Sequence, residues 1–289
     1  MTFLALTLIL VAAFFHATWN LLAKRVGSEA GTAVFVWLSG SLAVVLYAPL
    51  AVAVLVYGEP RLGPPELLFM LGSGVLHLGY FLLLQRGYAV GDLSLVYPLA
   101  RGTGPLLATA AAIAFFGEHP SLLALCGMVL IVGGVFLLTR DPKDAQRGRP
   151  GSAVAYGLAT GVFIAAYTLW DKHAVSALLV PPLLQDWASN LVRALLITPL
   201  AARRRGEVRA LWRAHKAAVL GVAALAPLAY ILVLTALVFT PVSYVAPVRE
   251  VSILIATAMG AQLLVEGDAR RRLLAAGAVV AGVVALTLG

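Results

Sequence analysis

Arg101, Arg249 and Glu250 stand inside long apolar runs, two or three residues after Pro98 and Pro247. An ionised side chain near the centre of a bilayer costs roughly 2.5–3.5 kcal/mol on insertion scales, so each must face a partner or a wet cavity. Two guanidiniums against one carboxylate favour an anionic or zwitterionic ligand, because a guanidinium forks onto a carboxylate or phosphate. The same three residues also support an internal Arg101–Glu250 ion pair that locks helices together. The two roles are compatible, since a ligand can compete for one member of a pair.

Other polar groups fall on single helical faces. His16 and Asn20 are spaced i, i+4, and Ser73, His77 and Tyr80 share another face. Histidine titrates near neutral pH, so either ring is a candidate carrier of a coupling proton; the alternative is a structural histidine bonded to a neighbouring helix. Asp186, Asn190 and Arg193 form a stripe at i, i+4, i+7, read either as ligand contacts or as a self-satisfied Asp–Arg pair. Tyr167 and Asp171 repeat the i, i+4 relation. Trp19, Trp37, Tyr80, Tyr97, Trp187 and Tyr230 are candidates for stacking on a ring or over a cation, and Trp212 for an interface. The substrate-binding set is therefore Arg101, Arg249, Glu250, Tyr80, Tyr97, His16, Asn20, Trp19, His77, Tyr230, Tyr167 and Asn190. No Ser-His-Asp order, phosphate-cradling glycine loop or helical HExxH is present, so neither an enzyme nor a cofactor is expected. Metal ligation lacks enough ligands, and the lone Cys126 reads as a small buried apolar residue.

The elements that position these groups are membrane helices. The 289 residues are 61% hydrophobic and 12% charged, with mean hydropathy +0.95, whereas a soluble domain has about 25% charged residues. Apolar runs of roughly 20 residues match a bilayer's hydrocarbon thickness, and their backbone must satisfy its own hydrogen bonds. Ten spans are expected, near 2–22, 33–57, 66–87, 93–116, 121–139, 151–173, 183–201, 215–238, 242–264 and 271–288. The first is read as a membrane helix and not a signal peptide, since HATWN is not a small-residue cleavage site. The net charge of +8 does not point to nucleic acid, because the basic residues occupy short connections between apolar runs. Sixteen of the 21 Lys and Arg lie on connections 1–2, 3–4, 5–6, 7–8 and 9–10, and only Arg61 and Lys172 on the other side. That bias places the five connections in the cytoplasm of an inner-membrane protein and both termini outside.

The chain also doubles itself. A shift of 148–150 residues sets Trp19 on Tyr167, Lys24 on Lys172, Trp37 on Trp187, Tyr80 on Tyr230, Pro98 on Pro247 and Glu118 on Glu266. An odd number of spans per half makes the halves antiparallel. The expected fold class is an all-α integral membrane protein of ten transmembrane helices in two inverted five-helix repeats. Residues 1–140 form the first, 141–150 a cytoplasmic linker and 151–289 the second. Segments 5 and 10, with Gly127, Gly133, Gly134, Gly277 and Gly282, are expected to scaffold the fold or to pair with another copy, leaving monomer and homodimer open.

FFHATWNLLAKR, VYPLARGTGPLL with FFGE, and YVAPVREVS with LLVE resemble the EamA-type members of the drug/metabolite transporter superfamily. The resemblance covers essentially the whole chain, and it implies ten helices in two inverted repeats, a central cavity and alternating access. It fixes no substrate, since members move amino acids, nucleotide sugars, other metabolites and drugs. With no nucleotide-binding motif, transport is expected to be secondary, with a small polar metabolite (an amino acid or an organic anion or zwitterion) as substrate. Efflux of lipophilic cations and flipping of a lipid-linked sugar are the alternatives. The expected partners are the substrate, the lipid bilayer and a possible coupling proton.

Overall fold

A computed structural model describes residues 1–26, 32–90, 93–139, 150–261 and 269–289. Every regular element among them is helical: α1 Phe3–Val26, α2 Thr32–Tyr57, α3 Pro64–Val90, α4 Leu93–Phe116, α5 Leu122–Thr139, α6 Pro150–Ser176, α7 Pro182–Arg203, α8 Arg205–Phe239, α9 Val242–Val248, α10 Val251–Ala261 and α11 Ala269–Leu288. Six described stretches are long and apolar enough to cross a membrane, in α1, α2, α3, α4, α6 and α8. The apolar cores of α5 and α11 are shorter, and α7 is diluted by Gln185, Asp186, Asn190 and Arg193. Large apolar side chains stand outward, among them Phe115 and Leu122, at 81% and 77% exposure. Water would penalise such a surface and lipid would not. The chain is a multi-pass membrane protein.

The helices pack as a bundle. α1 lies along α8 and α10, α6 along α3 and α4, α2 along α7 and α8, α3 along α7, α4 along α9, and α5 along α11. The main apolar cluster joins Ile9 and Ala13 of α1 to Leu234 and Leu237 of α8 and Val245 and Val248 of α9. Reciprocal indole bonds tie α2 to α7, where Trp37 Nε1 donates to Thr198 Oγ1 at 2.9 Å and Trp187 Nε1 donates to the Val44 carbonyl at 2.9 Å. These bonds fix Trp37 and Trp187 as braces.

The ninth segment breaks at Arg249–Glu250 between α9 and α10, where a proline inside a span is expected to open the backbone. Pro247 has no N–H for the Ser243 carbonyl. The chain tightens instead into three-residue turns, with Glu250 N–H donating to Pro247 O at 3.0 Å, Ser252 to Arg249 O at 3.2 Å and Ile253 to Glu250 O at 2.9 Å. Its expected counterpart α4 runs unbroken past Pro98. The 7–8 connection is not a loop. Helix α8 begins at Arg205 and bends at His215, where φ is −132° and ψ is 26°. The linker at 141–149, Glu266, and the side chains of Lys24, Arg25, Pro98 and Arg270 to Arg272 lie outside what is described.

Close approach, and not a partner copy, explains three of the glycines in segments 5 and 10. A Cβ on Gly127 would lie 2.6 Å from Gly282 O, one on Gly282 would lie 2.5 Å from Gly127 O, and one on Gly134 would lie 2.9 Å from Ala275 O. Backbones meet there as small residues permit. A Cβ on Gly133 or Gly277 would meet no atom of the described residues within 4 Å. Cys126, next to this seam, is exposed and not buried, because Gly127, Ile131 and Gly134 take the face that meets α11. Gly282→Val should destabilise the protein by about 1–3 kcal/mol through overpacking, read as a lower thermal midpoint in detergent, whereas Gly133→Ala should leave the midpoint unchanged.

Candidate functional site

A cavity of about 410 Å³ occupies the middle of the bundle, within the range that small-molecule sites use. Its wall runs along α1 from Ala12 to Val26, α2 from Phe35 to Ala43, α3 from His77 to Tyr88 and α8 from Val222 to Val233, and takes in Tyr97 and Arg101 of α4, Tyr167 of α6, Asp186 to Arg193 of α7, and Arg249. It therefore extends toward the end of the bundle that carries the α1–α2, α3–α4 and α7–α8 connections. His16, Trp19, Asn20, His77, Tyr80, Tyr97, Arg101, Tyr167, Asn190, Tyr230 and Arg249 all line it. Glu250 does not. It sits behind the wall, paired to Arg101.

That pair spans the break. Arg101 Nε lies 3.0 Å from Glu250 Oε2, with both side chains under 8% exposed, and the contact is an ion pair without a well-aligned hydrogen bond. Glu250 thus neutralises the guanidinium of α4. Arg249, one residue earlier, turns to the other side of the chain. Its guanidinium carbon lies 5.6 Å from the Tyr230 ring centroid, and no described carboxylate comes within 4.0 Å of it.

Beneath Arg249 is an aromatic floor. His77 stacks on Tyr167 at 4.2 Å and meets Tyr230 edge-on at 5.2 Å, and Tyr80 meets Tyr167 edge-on at 5.8 Å. His77 Nδ1 lies 2.9 Å from the Ser73 carbonyl. A carbonyl only accepts, so Nδ1 carries hydrogen and the neutral ring keeps Nε2 as an acceptor. Tyr230 donates its hydroxyl to Asp171 Oδ2 at 2.6 Å, and Gln185 Nε2 donates to Asp171 Oδ1 at 2.9 Å. Asp171 is fully buried, and it anchors the floor without lining the cavity. On the opposite wall, His16 meets Trp19 edge-on at 4.9 Å, and Asn20 Nδ2 donates to the His16 carbonyl at 2.7 Å.

The stripe on α7 is bridged and not directly paired. Asn190 Nδ2 donates to Asp186 Oδ2 at 2.9 Å, while Asn190 Oδ1 accepts from Arg193 Nη2. Asp186 and Arg193 both line the cavity, although the sequence-based set includes only Asn190 from this stripe. Gln85, Tyr88, Phe35 and Phe81 line it as well. Gln85 and Tyr88 continue the His77–Tyr80 face of α3 at helical spacing, which is the signal that would have found them. Trp19 Nε1 and Arg193 Nε are buried without a hydrogen-bond partner among the described residues.

Outside the cavity wall, an aromatic stack packs α3 against α6. Phe69 stacks on Trp170 at 4.2 Å and on His173 at 5.0 Å, and Trp170 Nε1 donates to the Phe69 carbonyl at 2.8 Å. A Cβ on Gly72 would lie 2.4 Å from the Trp170 ring, so this plug needs glycine there. Beside it, the α8–α9 corner is cinched from both sides. Glu118 accepts from Val242 N–H at 2.6 Å and from Ser243 N–H at 2.9 Å, capping α9. Lys172 Nζ donates to Leu237 O at 2.7 Å and Thr240 O at 3.1 Å, closing α8. A carboxylate on orphan N–H groups and an ammonium on orphan carbonyls each match the helix dipole.

The ion pair has a direct test. Glu250→Ala leaves Arg101 buried and uncompensated, and should cost about 3–5 kcal/mol, whereas the double replacement Arg101→Met with Glu250→Leu should recover most of that loss. Thermal unfolding in detergent reads both, and a Glu250→Ala protein as stable as wild type would contradict the pairing.

Comparison with known proteins now joins the geometry. A solved crystal structure of another protein superposes with a TM-score of 0.77, covering 98% of each chain at 15% sequence identity; it shares the fold. Residues 3–140 match the EamA-like transporter family. The chain belongs, through that first half, to the EamA-like transporter family of the drug/metabolite transporter superfamily.

Proposed function

We propose that this transporter moves a small organic anion or zwitterion of the amino-acid kind by alternating access, and that it is drawn in the state open toward the α1–α2, α3–α4 and α7–α8 connections. The observation that carries the substrate class is a surplus of donors. Arg249 faces the cavity with no described carboxylate within 4.0 Å, and Trp19 Nε1 and Arg193 Nε have no hydrogen-bond partner among the described residues. A buried donor left unsatisfied costs about 1–3 kcal/mol, so an acceptor-rich ligand gains what the empty wall lacks. Asp186, on α7, supplies the one cavity-lining carboxylate among the described residues. A zwitterion would set its carboxylate on Arg249, its ammonium toward Asp186 and its side chain against Tyr80, Tyr167 and Tyr230.

The mechanism rests on two inverted five-helix repeats, 1–140 and 151–289. Packing supports this arrangement, because contacts recur when the halves are exchanged. α1 along α8 answers α6 along α3, α1 along α10 answers α6 along α4, and α2–α7 and α5–α11 answer themselves. The Trp37 and Trp187 braces are likewise reciprocal. Rocking of one repeat against the other then requires the Phe69–Trp170 plug and the Glu118 and Lys172 clasps to part at the closed end. The basic connections put the open end in the cytoplasm and both termini outside.

Asp186 and the aromatic wall favour one second reading, export of lipophilic cations, and a single panel separates the two. Wild-type protein in proteoliposomes should exchange amino acids or organic anions and ignore lipophilic cations. Arg249→Ala should weaken binding of the transported anion about 10–100-fold, the value of one charge-assisted hydrogen bond, while its thermal midpoint stays near wild type. Normal exchange by Arg249→Ala, or stabilisation by lipophilic cations alone, would overturn the assignment. Glu118→Gln should keep ligand affinity and raise accessibility of a cysteine placed at Thr240, measured in a Cys126→Ser background. Unchanged accessibility would contradict the clasp.

A further inference from the structure

We propose that residues 205–214, the first arm of α8, form a helix lying on the bilayer surface that docks anionic phospholipid headgroups. The inference is independent of the substrate. Arg205, Arg209 and Arg213 recur at i, i+4 and i+8, and all three are exposed. Three guanidiniums in one column repel each other along a helix. Among the described residues, the acidic partner in this arm is Glu207, which pairs with Arg204, 3.7 Å away, and not with the column. The column is therefore built to face a surface of opposite charge.

Geometry selects a lipid surface over a soluble polyanion. The arm is held at both ends by the bundle: α7 ends at Arg203, and α8 bends at His215 before its apolar run begins. Its other face is anchored, with Leu211 3% exposed in a cluster with Val26 of α1, Val34 of α2 and Val219 of α8. Trp212 stands beside the arginine column at 38% exposure. An amphipathic indole next to guanidiniums fits the headgroup level of a bilayer, and basic clusters immediately beside a span attract anionic lipid. Val26 also lines the mouth of the cavity, so lipid held by the arm braces the helices that frame that mouth.

The test uses the full-length protein in bilayers and reads Trp212 itself. Trp212 emission is taken as the difference between wild type and Trp212→Phe, and quenching is compared for brominated phosphatidylglycerol and brominated phosphatidylcholine. Phosphatidylglycerol should quench several-fold more effectively than phosphatidylcholine at equal mole fraction. That preference should vanish in Arg205→Gln/Arg209→Gln/Arg213→Gln, and Arg209→Gln alone should reduce it if the triple variant does not fold. Equal quenching by the two lipids, or a preference that survives Arg209→Gln and the triple change, would overturn the proposal. So would abolition of the preference by inorganic phosphate at constant ionic strength, which would mark a free-phosphate site.

Discussion

A charge inside lipid has no bulk water to fall back on, and the interior of this protein is arranged around that constraint. Glu250 answers Arg101 across 3.0 Å, joining α4 to the break between α9 and α10. The break follows Pro247, which withholds one backbone hydrogen, and successive residues there point to different sides. One side takes the carboxylate that neutralises Arg101. The other takes Arg249, which is left over Tyr230 at the cavity wall.

The rest of the site is ordered outward from that point. Tyr230 is held by Asp171, Asp171 by Gln185, and His77 by the Ser73 carbonyl and the Tyr167 ring. Asp171, Gln185 and the Ser73 carbonyl thus fix the floor from outside the cavity wall, and a floor fixed in advance limits the reorganisation that binding would need. Away from the cavity, backbone caps from Glu118 and Lys172 hold the α8–α9 corner. Caps of this kind are strong enough to hold a state, yet each consists of a few hydrogen bonds that can be exchanged for water.

Much of the site was legible in the sequence, for one physical reason. Polar residues inside apolar runs are costly, so Arg101, Arg249, His16, His77 and Asn190 announced themselves, and the cavity gathers all of them. Glu250 was legible as Arg101's partner for the same reason. Tertiary facts were not. Asp171 gains its meaning from Tyr230, 59 residues on, and from Gln185, which no local spacing reveals. Tyr88 was lost because hydropathy falls at Gln85 and Arg86 although α3 continues to Val90. The arm at 205–214 was lost likewise, since an arginine-rich stretch shows no apolar run even when Val208 and Leu211 give it a buried face. Pro98 and Pro247 look alike in sequence and sit equally far into their helices, yet only the second is followed by a break.

The most direct measurement of the central claim is a structure with a transported ligand bound. The account predicts the ligand's carboxylate within hydrogen-bonding distance of the Arg249 guanidinium, with Arg101 still paired to Glu250 and the ligand body against Tyr167 and Tyr230. A bound ligand whose cationic group sits on Asp186 while Arg249 contacts only solvent would contradict it, as would a ligand seated outside this cavity.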